Sequence, residues 1–172
     1  MLDVEIARLG PNDWRELKAI RLEALLQDPA AFSSTYVESE TLRDDDWRRR
    51  LARTDAVTLI ARGNGDPIGM AGAIFGAGGE AHVAMIFGMY VSGGRRGQGV
   101  GRMLLRELLQ EIAAHPEMAT IRLWVAPTQH AARRLYAALG FRVVENPDRS
   151  MLAGPGAHEE IAMEQPVDQG DA

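Results

Sequence analysis

The sequence predicts a single α/β domain built on a mixed sheet, with the element order β-αα-βββ-α-β-α-β-β. Apolar stretches of strand length, joined by short turns, fill the first half of the chain, and helices alternate with strands in the second half. With 172 residues, of which 46% are hydrophobic, the chain can bury one sizeable core. We expect one domain over residues 1–166 and a flexible tail over residues 167–172.

The N-terminal half is expected to form a strand, two helices and a three-stranded antiparallel meander. Asn12 or Asp13 can cap the first helix, and Glu16 stands where a capping-box partner of Asp13 would be. An irregular stretch containing Glu38 and Glu40 precedes the second helix, whose first turn is acidic, as the helix dipole favours. The predicted elements are a strand over residues 4–9, helices beginning near residues 13 and 44, and strands over residues 56–62, 68–75 and 81–91.

The C-terminal half is expected to alternate between helix and strand. Its predicted elements are a helix over residues 100–115, a strand over 121–125, a helix over 129–139, a strand over 141–144, a loop over 147–157 and a strand over 160–165. We expect the last strand to lie at the edge of the sheet. An exposed edge there could pair with the same strand of a second copy and give a homodimer.

The composition excludes several classes of function. A net charge of −5 argues against a general nucleic-acid-binding protein, which would usually be basic. The chain has no cysteine, so disulfides, thiolate metal sites and a cysteine nucleophile are excluded, and we expect no metal. The first ten residues do not resemble a signal peptide and no stretch is apolar enough to span a membrane, so we expect a cytoplasmic protein with no membrane partner.

A glycine-rich and arginine-rich turn between a buried strand and an amphipathic helix is the most informative stretch of the chain. Its three glycines would let the backbone approach a ligand closely, and the first N–H groups of the helix have no intrahelical partners. Together with the helix dipole they form an anion site that suits a diphosphate. The glycines are Gly97, Gly99 and Gly101, and the arginines that add positive charge are Arg95, Arg96 and Arg102.

Two other phosphate-binding motifs fit this turn poorly. A Walker A loop requires lysine and then serine or threonine after its last glycine, whereas Arg102 and Met103 follow Gly101. The dinucleotide fingerprint would match Gly97 and Gly99, but its third glycine position falls on Arg102. On local chemistry alone, a solvated surface loop remains an alternative.

Two motifs in the correct order resemble the GNAT acetyltransferase superfamily. The first is Arg96-x-x-Gly99-x-Gly101 after a strand that ends in Met-Tyr-Val, which resembles the coenzyme A pyrophosphate loop of that family. The second is Ala132-x-x-Leu135-Tyr136-x-x-x-Gly140-Phe141. The resemblance covers about residues 4–166, and residues 28–51 are more loosely similar to the acceptor-side segment of some members.

This resemblance implies that acetyl-CoA binds along the central strand and the glycine turn. Backbone groups of Met89 and Val91 would pair with the pantetheine arm as an added strand would, and an N–H at or near Tyr90 would polarise the thioester carbonyl. Gln129 stands where the family often has an asparagine, and its longer side-chain amide would reach the cofactor arm. The pyrophosphate would be held by the turn from Gly97 through Gln98, Gly99, Val100 and Gly101 to Arg102.

The resemblance also implies catalytic candidates. Tyr136 would protonate, or donate a hydrogen bond to, the departing thiolate, although a tyrosine at this position could equally be a core residue. The strand over residues 83–91 has no carboxylate, which leaves Glu80 and His82 at its start as candidates for the general base. Glu38 and Glu40 could orient a cationic acceptor or could simply face solvent. A site without a side-chain base also remains open.

The sequence therefore predicts an N-acetyltransferase that transfers an acetyl group from acetyl-CoA to a small-molecule or protein amine, by direct attack in a ternary complex. A non-catalytic module that binds or senses acyl-CoA is the main alternative. An unrelated nucleotide-binding domain with a similar turn ranks third.

Overall fold

A computed structural model describes residues 3–149 and 159–170. It has one seven-stranded mixed sheet in the order β1-β2-β3-β4-β5-β7-β6, so the predicted mixed α/β fold is confirmed. The strands are β1 (Val4–Arg8), β2 (Ala56–Gly63), β3 (Asp66–Phe75), β4 (Val83–Val91), β5 (Thr120–Val125), β6 (Arg142–Val143) and β7 (Ile161–Pro166). The helices are α1 (Trp14–Gln27), α2 (Tyr36–Glu40), α3 (Asp44–Leu51), α4 (Val100–Ala113) and α5 (His130–Ala138).

The sheet is covered by helices on both faces. Because alternate side chains of each strand point to opposite sides, each face contributes to its own hydrophobic cluster. In β2, Leu59 packs with Leu104 and Leu108 of α4, whereas the next residue, Ile60, packs with the tryptophans of the N-terminal segment. Of those tryptophans, Trp14 is the first residue of α1 and Trp47 lies within α3. One layer therefore contains α4 and the other contains α1 and α3.

The first strands form the predicted antiparallel meander. The β2–β3 connection is a two-residue turn in which both Asn64 (φ 52°) and Gly65 (φ 92°) have positive φ. Asn-Gly favours this kind of turn because its twist matches that of the flanking strands. The turn fixes the register of β3, and β3 in turn positions β4.

One short helix was not predicted from the sequence. Thr35 accepts a hydrogen bond from the Glu38 N–H (3.3 Å), and the Glu38 carboxylate accepts one from the Thr35 N–H (2.9 Å). This reciprocal capping box begins α2 within the stretch that was expected to be irregular. The Thr-x-x-Glu spacing was the signal that the sequence analysis missed.

The predicted cap of the first helix differs in detail. The Asp13 carboxylate accepts a hydrogen bond from the Gly10 N–H (2.8 Å), so it closes a 3-10 turn that precedes α1 and does not cap α1 itself. Glu16 is not its capping partner. Instead, Glu16 forms a two-bond ion pair with Arg62 of β2, at 2.8 and 3.0 Å, which ties α1 to the sheet.

The prediction that the last strand lies at the sheet edge was wrong. β7 pairs with β5 on one side and with β6 on the other, so the strand proposed for pairing between copies already has two neighbours. Beyond it, the Val167 N–H donates to the Ala119 carbonyl (2.9 Å) and the Gln169 side chain donates to the Met118 carbonyl (3.1 Å). Most of the predicted 147–157 loop lies outside the described residues.

None of the helices in residues 3–149 and 159–170 is long and apolar enough to cross a membrane.

Candidate active site

The central feature of the site is the point at which β4 separates from β5. The two strands pair in parallel only from Val83 to Met85 on β4. Opposite β3, the register slips so that Met70 faces Tyr90 but Gly72 faces Phe87, which leaves one extra residue on β4. The left-handed Gly88 (φ 64°) lies within this bulge. From Ile86 onward β4 no longer pairs with β5, which leaves an opening in the sheet beside the bulge.

A cleft of about 380 Å³ lies beside the diverging end of β4. Its walls are the glycine turn, the first turn of α4 and one side of α5. All of the predicted cofactor-binding residues except Gln98 line it. The Gln98 side chain instead turns back to donate a hydrogen bond to the Gly94 carbonyl (3.1 Å).

One end of the cleft is suited to an anion. The first hydrogen bond into α4 runs from the Met103 N–H to the carbonyl of Gly99, so the preceding N–H groups are available to a ligand. Gly99 is the N-cap residue and has a φ of 86°, and a Cβ placed on it would meet no heavy atom within 4 Å. Arg95, Arg96 and Arg102 line the same end. Free N–H groups, open space and positive charge together fit a diphosphate.

Asp28, which the sequence analysis did not select, closes this part of the cleft from the end of α1. Its Oδ1 accepts a hydrogen bond from the Gln129 side-chain amide (3.0 Å), and its Oδ2 lies 3.9 Å from Nη2 of Arg96. Nε of Arg96 also donates to the Val91 carbonyl (2.9 Å). These contacts join α1, the glycine turn and α5 around the cleft. In the sequence, Asp28 was noted only as the first residue of the segment 28–51 that loosely resembles an acceptor-side segment.

Tyr136 of α5 lines the cleft and is also a core residue. Its ring packs edge-on against Phe141, with ring centres 6.0 Å apart, and its side chain is 5% exposed. Within the described part of the chain its hydroxyl has no hydrogen-bond partner. Burial raises the pKa of the Tyr136 phenol to about 12, so the group stays protonated at neutral pH and can act as a hydrogen-bond donor.

Comparison with known proteins decides the family. The model of the acetyltransferase (GNAT) family matches residues 19–141, which is well over half of the chain. The chain belongs to this family. Membership indicates an acyl-CoA-dependent acetyltransferase. No curated protein sequence matches the chain.

Solved GNAT structures share the fold along almost the whole chain. A GNAT-family acetyltransferase from Streptococcus pneumoniae is 21% identical, with a TM-score of 0.79 over 96% of this chain and 100% of its own. PaiA N-acetyltransferase from Thermoplasma acidophilum, solved with coenzyme A, is 19% identical, with a TM-score of 0.72 over 95% and 99% of the two chains. YncA from Salmonella typhimurium, solved with acetyl-CoA, is 21% identical, with a TM-score of 0.73 over 98% and 96%.

The two base candidates chosen from the sequence lie at the other end of β4 in this GNAT fold. Glu80 forms a two-bond ion pair with Arg122, at 2.8 and 3.2 Å. Nδ1 of His82 lies 2.8 Å from the Glu117 carbonyl oxygen. With a rise of about 3.3 Å per residue, His82 is about 20 Å from the Gly88 bulge. Neither side chain lines the cleft, so the structure does not bring them to the end of β4 beside which the cleft lies.

Glu38 and Glu40 are also remote from the cleft. The Glu38 carboxylate is used in the capping box of α2. Oε1 of Glu40 accepts a hydrogen bond from the Tyr36 hydroxyl (3.2 Å) within the same helix. Neither glutamate lines the cleft, and the structure shows both in local helix contacts.

The carboxylate of Glu160 is a site feature that sequence analysis missed. A cavity of about 70 Å³ lies where β4 and β5 part, and Glu160 lines it together with Gly88, Met89 and Tyr136. Burial raises the pKa of Glu160, and the nearby Arg149 guanidinium partly opposes that effect. Because Glu160 directly precedes β7, only the observed strand order brings it next to β5 and the bulge.

Proposed function

We propose that this chain transfers the acetyl group of acetyl-CoA to the nitrogen of an amine, by direct attack within a ternary complex. The observation that carries the proposal is that the anion site at Gly99 and Tyr136 line one cleft, and that this cleft shares Met89 and Tyr136 with the small cavity at the split in the sheet. The diphosphate would lie on the turn, the pantetheine arm along Met89 and Val91, and the thioester at the bulge beside Gly88.

The reaction follows from this placement. The neutral amine attacks the thioester carbon, a backbone N–H at Met89 or Tyr90 stabilises the oxyanion, and the C–S bond breaks as the thiolate leaves. A phenol with a pKa of about 12 would transfer its proton to a thiolate of pKa about 8.5 at a cost of about 5 kcal/mol. Tyr136 therefore acts by donating a hydrogen bond to the leaving sulfur, which takes its proton from solvent.

The amine must lose a proton, and Glu160 is the carboxylate best suited to accept it. Two acidic residues line the small cavity beside the bulge, Asp28 and Glu160. Asp28 is already bonded to Gln129, whereas burial raises the pKa of Glu160 toward values useful for a base. The proton could pass directly or through one water.

Replacing Glu160 by glutamine is expected to lower kcat/KM by about 10²-fold at neutral pH. A base acts in its ionised form. Wild-type kcat/KM should therefore rise as pH increases through the pKa of Glu160, which burial raises above its ordinary value, and should then level off. Glu160→Gln should lose this acid limb. The measurement is the pH profile of kcat/KM, with Glu159→Gln, the exposed neighbour, as the matched control. An unchanged acid limb in Glu160→Gln would exclude Glu160 as the base.

The proposed function is tested by two measurements on the whole protein. Calorimetric titration with acetyl-CoA should show saturable binding, and thiol release should accelerate when an amine is added. Saturable binding without thiol release from a broad amine panel would favour the non-catalytic acyl-CoA-binding module. A folded sample that binds no acetyl-CoA would overturn both alternatives.

A further inference from the structure

A second cavity, of about 310 Å³, lies on the α1–α3 side of the sheet. It shares Gly88 and Phe87 with the small cavity at the split between β4 and β5, so it reaches the bulge from the face opposite α4. This position is where an acceptor would approach a thioester held in the acetyl-CoA cleft. The inference drawn from this cavity therefore rests on the proposed function.

Among the described residues, the charged groups that line this cavity are three arginines, Arg21, Arg50 and Arg53, and none of its lining residues carries a carboxylate. Arg53 is neutralised by a two-bond ion pair with Asp55, with both distances 2.8 Å. Cζ of Arg50 lies 4.9 Å from the centre of the Trp47 ring, and the negative charge of the more distant Asp46 interacts electrostatically with the Arg50 guanidinium. Positive charge is therefore in excess inside the cavity.

Arg21 has the most unsatisfied hydrogen-bonding capacity of the three. It forms no ion pair with any residue in the described ranges, and its Nε is buried without a hydrogen-bond partner. Nη2 donates to the Ser34 hydroxyl (3.0 Å), and the guanidinium lies 4.5 Å from the Phe32 ring centre. Burial and the like charge of Arg50 lower the pKa of Arg21 to about 10. A half-buried cation with spare donors, one of them buried at Nε, is costly unless an anion pairs with it.

The Arg21 guanidinium is next to the bulge. A Cβ built on Gly88 would lie 3.3 Å from Nη1 of Arg21. An anion bound by Arg21 would therefore be separated by only one small chemical group from the point where the thioester would be held. An amine one carbon away from that anion could reach the acetyl carbon.

The rest of the cavity wall is largely apolar. Leu17, Ile74 and Phe87 line it, and the Phe87 ring lies against Gly72, which has no side chain to displace it. These surfaces suit a hydrocarbon side chain more than a second charge. A polyamine would place ammonium groups beside unpaired guanidiniums, which argues against the cationic acceptor that the acidic stretch of the sequence had favoured.

We propose that the acceptor is an α-amino acid with an apolar side chain, whose carboxylate is bound by Arg21 and Arg50 and whose side chain packs against Ile74 and Phe87. The α-amine, as the neutral nitrogen, attacks the thioester carbon. The C–S bond breaks, the thiolate takes up a proton equivalent to the one lost by the amine, and the products are an N-acetylamino acid and coenzyme A. A planar carboxylate matches the paired donors of a guanidinium.

The test compares four acceptors of matched size with acetyl-CoA: leucine, leucinamide, isopentylamine and the phosphonate analogue of leucine. We expect kcat/KM to be highest for leucine, at least tenfold above each of the others. Equal or better use of isopentylamine or leucinamide would overturn the carboxylate requirement and leave the proposed function standing. Preference for the phosphonate would overturn the choice of carboxylate in favour of a tetrahedral anion.

The variant Arg21→Met identifies the binding group. We expect it to raise the KM for leucine at least tenfold and to leave the Kd of acetyl-CoA unchanged. Its melting temperature should be the same or higher because an unpaired, half-buried charge is removed. Arg15→Met, an exposed arginine on the same helix, is the matched control and should change none of these. Equal losses for leucine and isopentylamine in Arg21→Met would overturn the assignment to Arg21.

Binding measured without turnover separates this inference from the proposed function. Leucine should bind calorimetrically to the protein saturated with coenzyme A, and Arg21→Met should abolish that binding. If this holds while no amine releases thiol, the acceptor site stands and the transferase proposal fails. If leucine does not bind and other amines are acetylated, the inference fails alone.

Discussion

Replacing Gly99 by alanine is expected to weaken acetyl-CoA binding at least tenfold. Gly99 has a φ of 86° at the N-cap of α4, a conformation that costs a residue with a Cβ about 1–2 kcal/mol. If the variant keeps the turn, its backbone is strained. If the turn changes to relieve that strain, the N–H groups that would hold the diphosphate move. In the retained turn, the new methyl group would also project into the open space that a ligand would occupy. Calorimetric titration with acetyl-CoA at constant ionic strength measures the loss.

Gly93→Ala is the matched control for this change. Gly93 is in the same connection between β4 and α4, its φ lies outside the left-handed region, and a Cβ on it would contact nothing within 4 Å. It should leave both acetyl-CoA affinity and thermal stability unchanged. Wild-type affinity in a folded Gly99→Ala sample would mean that the diphosphate is not held by this turn.

Replacing Tyr136 by phenylalanine is expected to lower kcat by about 10- to 100-fold while the Kd of acetyl-CoA stays the same. The change removes the hydroxyl that would stabilise the leaving thiolate and keeps the ring contact with Phe141. The hydroxyl has no partner elsewhere in the described residues, so its removal should not reduce stability. Single-turnover kinetics and calorimetry separate the two effects. Wild-type turnover by Tyr136→Phe at saturating substrates would remove the phenol from the mechanism.

The alkaline stability of Tyr136→Phe provides a second readout. In the folded protein, burial raises the pKa of Tyr136 to about 12, whereas an unfolded tyrosine ionises near pH 10. The contribution of the neutral phenol to the unfolding free energy is complete below pH 10 and is lost as pH rises through 12. The melting temperature of the variant should therefore fall less steeply than that of the wild type across this range.

The parts of the site that sequence analysis predicted are local in the chain. The glycine turn, the start of α4 and Tyr136 on α5 follow from short patterns whose chemistry depends on neighbouring residues. The positions of Glu80 and His82 in the structure are equally informative. The sequence identified the strand beside which the cleft lies, but it did not show that β4 stops pairing with β5 after Met85, so that the split lies beyond the residues nearest Glu80 and His82.

The parts that sequence analysis missed depend on tertiary packing. Asp28 reaches the cleft because the end of α1 lies beside Gln129, and Glu160 reaches the bulge because β7 inserts between β5 and β6. Arg21 and Arg50 are on different helices and converge only when α1 and α3 pack on the same face of the sheet. No spacing along the chain encodes these approaches, since each depends on strand order or helix packing.

The placement of β7 has a consequence for the synthesis of the protein. β6 has no direct contact with β5 in the sheet and joins it only through β7, which is the last strand to be made. While the chain is still emerging from the ribosome, β1 to β4 can pair in order of synthesis, but the outer edge of β5 stays unpaired. An unpaired strand edge invites association with other chains. A chain truncated before Ile161 should therefore aggregate more than the whole chain, which light scattering of the two purified samples would measure.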